Sequence, residues 1–274
     1  MTIRQERTMK ICITLLAIVL LFGASPPGRA GDIPVTIYAD AGYQPYSYAD
    51  KDGGPAGLYY EIVKVAFARM KGYRIEIKPV PWKRGMAMLK NGSAFALFPP
   101  YMNLKEEPFT WPYSLPLFEE IVVAVCTKEV AAKARPHWPE DFHGLTIGNN
   151  SGFLVGGDKF IRAVKAGKIK IEEASDTRTN ILKLGLKRID CYINDRISIR
   201  WTQNQLLRER KLAGPVGVET VVIATEQGFL GFTDRDQGKY PHKTDFLKQF
   251  NAIVYDMKRN GEIERIARDF FQVR

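Results

Sequence analysis

The chain has 274 residues, 45% of them apolar and 26% charged, and a formal net charge of +10. That length can bury a full core, in one large domain or two small ones. The densest basic stretches, 165–170 and 208–211, contain or adjoin apolar and acidic residues, which excludes a nucleic-acid arm, and three scattered histidines, no two a helical turn apart, exclude a His-built metal site.

Arg4, Arg7 and Lys10 lead into an uncharged apolar stretch, residues 11–24, which Ser25, Pro26 and Pro27 break and small residues at Gly28 and Ala30 follow. Basic, apolar and small-residue segments in that order are what a secretory signal peptide needs. The run is shorter than the roughly 20 apolar residues of a membrane-spanning helix. We expect cleavage near Ala30, a mature chain starting near Gly31, and export to the periplasm. No Cys follows the apolar run, so no lipid anchor is expected. Four Lys/Arg and one Glu leave with residues 1–30, which lowers the net charge from +10 to +7. Cys126 and Cys191 remain, each in a short apolar run, and are expected as separate buried thiols rather than a disulfide.

Strands and helices then alternate. Residues 35–40 (VTIYAD) read as a strand, and 42–57 as a loop rich in Gly, Pro and Asp. Helical spacing follows over 58–70, with Ile62, Val63, Val65, Ala66 and Met70 on one side and Gly72 as its stop. Residues 74–80 alternate as a strand, 82–90 form a short helix, and 94–99 a short buried strand. This order implies parallel strands with helices over the sheet. A second unit of the same kind begins with a long strand at 117–126. Strands at 145–149, 169–175 and 189–194 alternate with helices at 153–166 and 177–186. The chain returns through a strand at 228–233 to two amphipathic helices, marked by Phe246, Phe250, Ile253, Val254 and Met257 and then by Ile263, Ile266 and Phe270.

Several of these segments, taken in order, resemble the extracellular solute-binding proteins, family 3, which feed polar solutes to ABC importers. PYSYADKDGGPAGLYYEIV looks like the family's aromatic-after-Pro stretch, turn and first helix. FTWPYSLPLFEEIVVAV is similar to its Phe-Ser-x-Pro-Tyr segment and first hinge strand. DFHGLTIGNNSG is similar to its Asp-Leu-x-Gly strand and helix-opening Gly. LKRIDCYINDR looks like its Gly-Arg-Ile-Asp strand ending in Asp, and FLKQFNAIVYDMKRNGEIERIARDFF like its closing helices. The resemblance runs from about Val35 to Phe271. It implies an α/β fold of two lobes joined by two crossing strands, with a ligand cleft between. Mapped onto this chain, lobe 1 is 32–119 plus 228–274 and lobe 2 is 120–227.

Ligands of open α/β sheets sit beyond the carboxyl ends of the strands. Asp40, Tyr43 and Tyr46 follow the first strand, Trp82 and Arg84 open the second helix, and Tyr101 follows the third strand, so all six are candidate cleft residues. Gly152 lets the backbone come close before a helix whose first N–H groups, from Phe153 and Leu154, would suit an anion. Asp195 matches the position where amino-acid-binding members place the carboxylate for the ligand's ammonium. Two departures stand out. The family's Thr-x-x-Arg, which grips an α-carboxylate, is YMNLKEEPF here, and Lys105 lacks Arg's planar fork. Phe153 replaces the family's helix-opening Thr.

The expectation is a monomeric, non-enzymatic binding protein for a small polar solute, amino-acid-like or amine-bearing, delivered to an ABC permease, with no cofactor, metal or nucleic acid. A sensor subunit of the same fold is one alternative. A cyclohexadienyl dehydratase-like enzyme is another; Glu106 and Glu107 sit near the right strand end for an acid, but its carboxylate-gripping Arg is missing.

Overall fold

In the computed structural model the structure describes residues 31–153 and 155–272. The expected signal peptide, residues 1–30, lies outside the described residues. Among the described residues no helix is long and apolar enough to cross a membrane.

The chain starts with β1 (Ile33–Asp40), whose last two residues are both buried. The segment expected as loop forms a small antiparallel sheet, β2 (Gly42–Tyr43), β3 (Ser47–Ala49) and β4 (Pro55–Ala56). Gly57 then opens α1 (Leu58–Ala68) at φ 115°. A Cβ there would stand 2.3 Å from the Tyr46 carbonyl oxygen, so only glycine fits. Next come β5 (Tyr73–Val80), α2 (Trp82–Lys90), β6 (Ala96–Phe98) and β7 (Thr110–Tyr113). The chain crosses over along β8 (Phe118–Cys126), and α3 (Lys128–Ala131) follows. The second unit contains β9 (Thr146–Asn150), α4 (Gly157–Lys165), β10 (Lys170–Ala174), α5 (Thr177–Gly185), β11 (Cys191–Asp195) and α6 (Arg196–Arg208). It returns along β12 (Val218–Gly228) to β13 (Gly231–Thr233), α7 (Lys243–Arg259) and α8 (Glu262–Gln272).

Two five-stranded sheets result, ordered β5-β1-β6-β13-β7 and β10-β9-β11-β8-β12. Both are mixed, which corrects the expectation of parallel pairing. β1 and β6 run parallel, as do β9 with β10 and with β11. The returning strand β13 lies antiparallel to β6 and β7, and β8 lies antiparallel to β11 and β12. The antiparallel pairs arise where the chain passes between sheets. β8 and β12 pair from Phe118 opposite Gly228 to Cys126 opposite Val218. At the crossing, the Ser114 N–H donates to the Leu230 carbonyl (2.9 Å) and the Leu117 N–H to that of Gly228 (2.8 Å).

Each sheet buries both faces. On the first, α1, α7 and α8 pack Ile62, Phe67, Phe246, Phe250, Val254 and Phe270 against Ile37, Phe98 and Phe232, while α2 covers the other face with Met86 and Leu89. On the second, β8 sends Val122, Ala124 and Cys126 to one core and Val123 and Val125 to another, as its twofold side-chain period requires. Each fully buried aliphatic side chain of this kind contributes roughly 1.5–3 kcal/mol.

Cys126 and Cys191 form a disulfide, against the expectation of separate thiols. Both do lie in buried strands. The two strands are neighbours, and their register sets Cys126 directly opposite Cys191.

Candidate functional site

A cavity open to solvent lies between the two sheets. Asp40, Tyr43, Trp82, Pro99, Tyr101, Asn103 and Glu107 line it from one side, and Gly152, Phe153 and Val155 from the other. The first group sits where strands of the first sheet end: Asp40 is the last residue of β1, Trp82 opens α2 just after β5, and Pro99 and Tyr101 follow β6. The second group forms the loop between β9 and α4. The two sides touch. The Trp82 Nε1–H donates to the Gly152 carbonyl at 3.2 Å. The Phe153 ring stands edge-on to Tyr43 and Trp82, with centroids 5.4 and 5.7 Å apart. Lys105 meets Asp158 at 2.6 Å, Lys83 meets Glu173 at 3.7 Å and Lys165 meets Glu106 at 3.8 Å around the edge, all solvent-exposed and weak.

Four carboxyl groups converge here, and they differ in how they are satisfied. Glu120 is buried near the start of β8 and accepts hydrogen bonds from the hydroxyls of Tyr43, Tyr59 and Tyr101, the last at 2.6 Å. Burial, reinforced by the nearby Asp195 charge, pushes its pKa up to about 8, although the three hydroxyls pull the other way. Asp195 is also buried. It caps α6 by accepting the Ser198 N–H (2.8 Å) and takes the Ile121 N–H on its other oxygen (3.0 Å). Burial raises its pKa too. Asp40 accepts the Gly42 N–H at 2.9 Å, and burial pushes its pKa up to about 7. Glu107 makes no hydrogen bond or ion pair through its carboxylate among the described residues, and burial alone pushes it up to about 7.

The cavity therefore brings together Asp40, Tyr43, Trp82, Tyr101, Gly152 and Phe153 of the residues expected from the sequence. Tyr46 is fully buried behind the wall, packed on Tyr43, Tyr59 and Phe118, with its hydroxyl facing Asp195 outside hydrogen-bond geometry. Asp195 lies in that same layer. Arg84 is exposed on α2 and does not line the cavity.

The expected anion cradle is corrected at Phe153, while Leu154 lies outside the described residues. The helix opens at Gly157, several residues beyond the expected start. Before it, the N–H groups of Ser151, Gly152 and Phe153 already donate to the Ala174 carbonyl (2.8 Å), the Glu173 carboxylate (3.2 Å) and the Asn150 carbonyl (2.9 Å). Gly152 holds φ at 82°, a conformation that favours glycine, and Asn149 donates from its amide to the Phe153 carbonyl at 2.8 Å, which fixes the loop.

Glu120, Tyr59, Asn103 and Val155 were not anticipated. The signal for Glu120 is an acidic residue inside an otherwise apolar strand run, FEEIVVAV, which demands buried donors. Among the described residues no cluster of three His, Cys, Asp or Glu is placed to hold a metal.

Residues 35–273 match the family model of bacterial extracellular solute-binding proteins, family 3. No curated protein matches the sequence. Solved structures that resemble the chain include a substrate-binding protein of an ABC uptake transporter from Streptococcus pneumoniae with bound histidine, at 21% identity and TM-score 0.66, covering 87% of this chain and 92% of that one. A mutant of ArgBP from T. maritima is similar at 20% identity and TM-score 0.67, over 87% and 95% of the two chains. A histidine kinase sensor domain with similarity to periplasmic binding proteins aligns at 16% identity and TM-score 0.70, over 88% and 97%. These likenesses show a periplasmic-binding-protein-like fold.

Proposed function

We infer the function from one established premise: the chain belongs to the bacterial extracellular solute-binding proteins, family 3. It captures a small polar solute, amino-acid-like or amine-bearing, in the periplasm and delivers it to the permease of an ABC importer. The lobes are 32–119 plus 228–274 and 120–227, and they close on the solute about the β8–β12 crossing. Asp40, Tyr43, Trp82, Tyr101, Glu107 and Phe153 hold it, with Tyr46 and Asp195 supporting the wall from behind. The protein works as a monomer and releases its solute unchanged.

The observation that carries this reading is the cavity itself. It lies at strand ends between two sheets that the crossing strands join, which is where ligands of open α/β folds bind. The Trp82–Gly152 and Tyr43–Phe153 contacts across it are ones that opening would break, so a ligand that strengthens them shifts the population toward closure. The test is a thermal-shift screen of the protein from Gly31 onward against amino acids, amines, carboxylates and small peptides. A true ligand at 100 times its Kd adds about 2.7 kcal/mol and leaves the screen chemically unchanged. Silence across the panel, or turnover of a hit, defeats the reading.

A further inference from the structure

The cavity wall carries negative groups without a counter-ion. Asp40 and Glu107 line it, and the Glu107 carboxylate makes no hydrogen bond or ion pair among the described residues. Glu120 and Asp195 stand one layer behind and add to the field. Among the described residues no Lys or Arg lines the cavity. Lys105, the one cation in the stretch that replaces the family's Arg, points to Asp158 at 2.6 Å, and Arg84 is exposed. The N–H groups of residues 151–153 are already engaged and form no anion cradle. A ligand carboxylate would therefore meet two carboxylates and no cation among the described residues, with the Asn103 side-chain amide as a neutral donor. A ligand cation would meet two open carboxylates and the rings of Tyr43, Trp82, Tyr101 and Phe153, whose faces attract positive charge.

We propose that the cleft selects an organic cation that lacks a carboxylate, such as a protonated amine, diamine or guanidinium, with Glu107 and Asp40 as its charge partners. This rests on the solute-binding reading above and narrows it to one ligand class.

Matched pairs test it directly. Titration calorimetry at about pH 8, where alkylamines stay protonated, compares lysine with 1,5-diaminopentane, arginine with agmatine, and histidine with histamine. In at least one pair the decarboxylated member binds about tenfold or more tighter than its parent. Glu107→Gln then weakens that binding by about tenfold, and Asp40→Asn serves as a second variant; the midpoint of thermal unfolding without ligand does not fall in Glu107→Gln. A parent amino acid that binds as tightly as its amine, or an amine whose affinity ignores both variants, overturns the proposal while leaving a solute-binding protein. Binding confined to a neutral or anionic solute does the same. If nothing in the wider solute screen binds, the broader reading fails with it.

Discussion

The two sheets meet the cavity in opposite ways. Strand ends of the first sheet bring side chains that still have something to offer: Asp40 with one oxygen beyond its turn, Glu107 with no partner, and the rings of Tyr43, Trp82 and Tyr101. Strand ends of the second sheet carry buried polar groups that bond largely to one another, although the amide oxygens of Asn149, Asn180 and Asn194 have no partner among the described residues. Tyr192 donates to Asn150 at 2.8 Å, Asn194 donates to Tyr192 at 2.8 Å and to Thr177 at 3.1 Å, and Asn180 donates to Asn150 at 2.9 Å, all buried. What this sheet presents to the cavity is Gly152, Phe153 and Val155. One side supplies ligand chemistry and the other supplies a preset surface that closes over it. A buried polar group already paired contributes to order, whereas one left open costs free energy until a ligand arrives.

The contrast can be probed where each side is most committed. Cys126→Ser removes a cross-link that closes a 65-residue separation in the second sheet, and chain-entropy arguments put the loss at about 4 kcal/mol. Urea unfolding under non-reducing conditions measures it; a loss below about 1 kcal/mol would mean that the second sheet does not depend on its staple. Glu120→Ala leaves the hydroxyls of Tyr43, Tyr59 and Tyr101 without their shared acceptor and is expected to cost about 3 kcal/mol. Glu107→Gln, with no partner to lose, should cost nothing by the same assay, so equal losses in the two variants would erase the distinction between engaged and open carboxyls.

pH provides a milder probe. Asp40, Glu107 and Glu120 have folded pKa values raised to about 7, 7 and 8. Their stabilising contribution is fully present below their unfolded values near 4 and is lost as pH rises through 7 to 8. The unliganded protein should therefore lose about 2 kcal/mol or more between pH 5 and pH 8, a drop of roughly 5 °C in Tm. A bound cation should offset part of it, so affinity for an amine rises over the same interval. A flat Tm profile would place these carboxyls in a more hydrated setting. The smallest effect is expected at Arg84→Ala, an exposed site on α2: less than about 1 °C in Tm and no change in affinity.

Elements carried by dense apolar runs were legible in the sequence; sparse ones were not. β1, β5, α2 and β8 fall close to where residues 35–40, 74–80, 82–90 and 117–126 were expected. α6 escaped because its buried face is only Ser198, Ile199, Thr202 and Leu206 among Arg, Gln and Asn. β12 escaped because register shifts between Glu219 and Val221 and between Val222 and Ala224 break its alternation. At the site, residues adjoining strand ends were accessible to reasoning, and six of the nine expected residues line the cavity. The Glu120 cluster was not, because its three tyrosines lie 77, 61 and 19 positions away and only the folded chain collects them. The loop after β9 misled for a local reason: Gly152 opens a turn that uses its own donors, and the helix waits for Gly157.

The Cys126–Cys191 bond also records how the second sheet was assembled. Side chains alternate faces along a strand, so sliding β11 past β8 by one residue would turn one sulfur toward the opposite core. Sliding by two would carry the pair beyond bridging distance. Among neighbouring alignments only the native one can be sealed. The bond thus acts as a parity check, closed by oxidation once two segments 65 residues apart have found the right alignment.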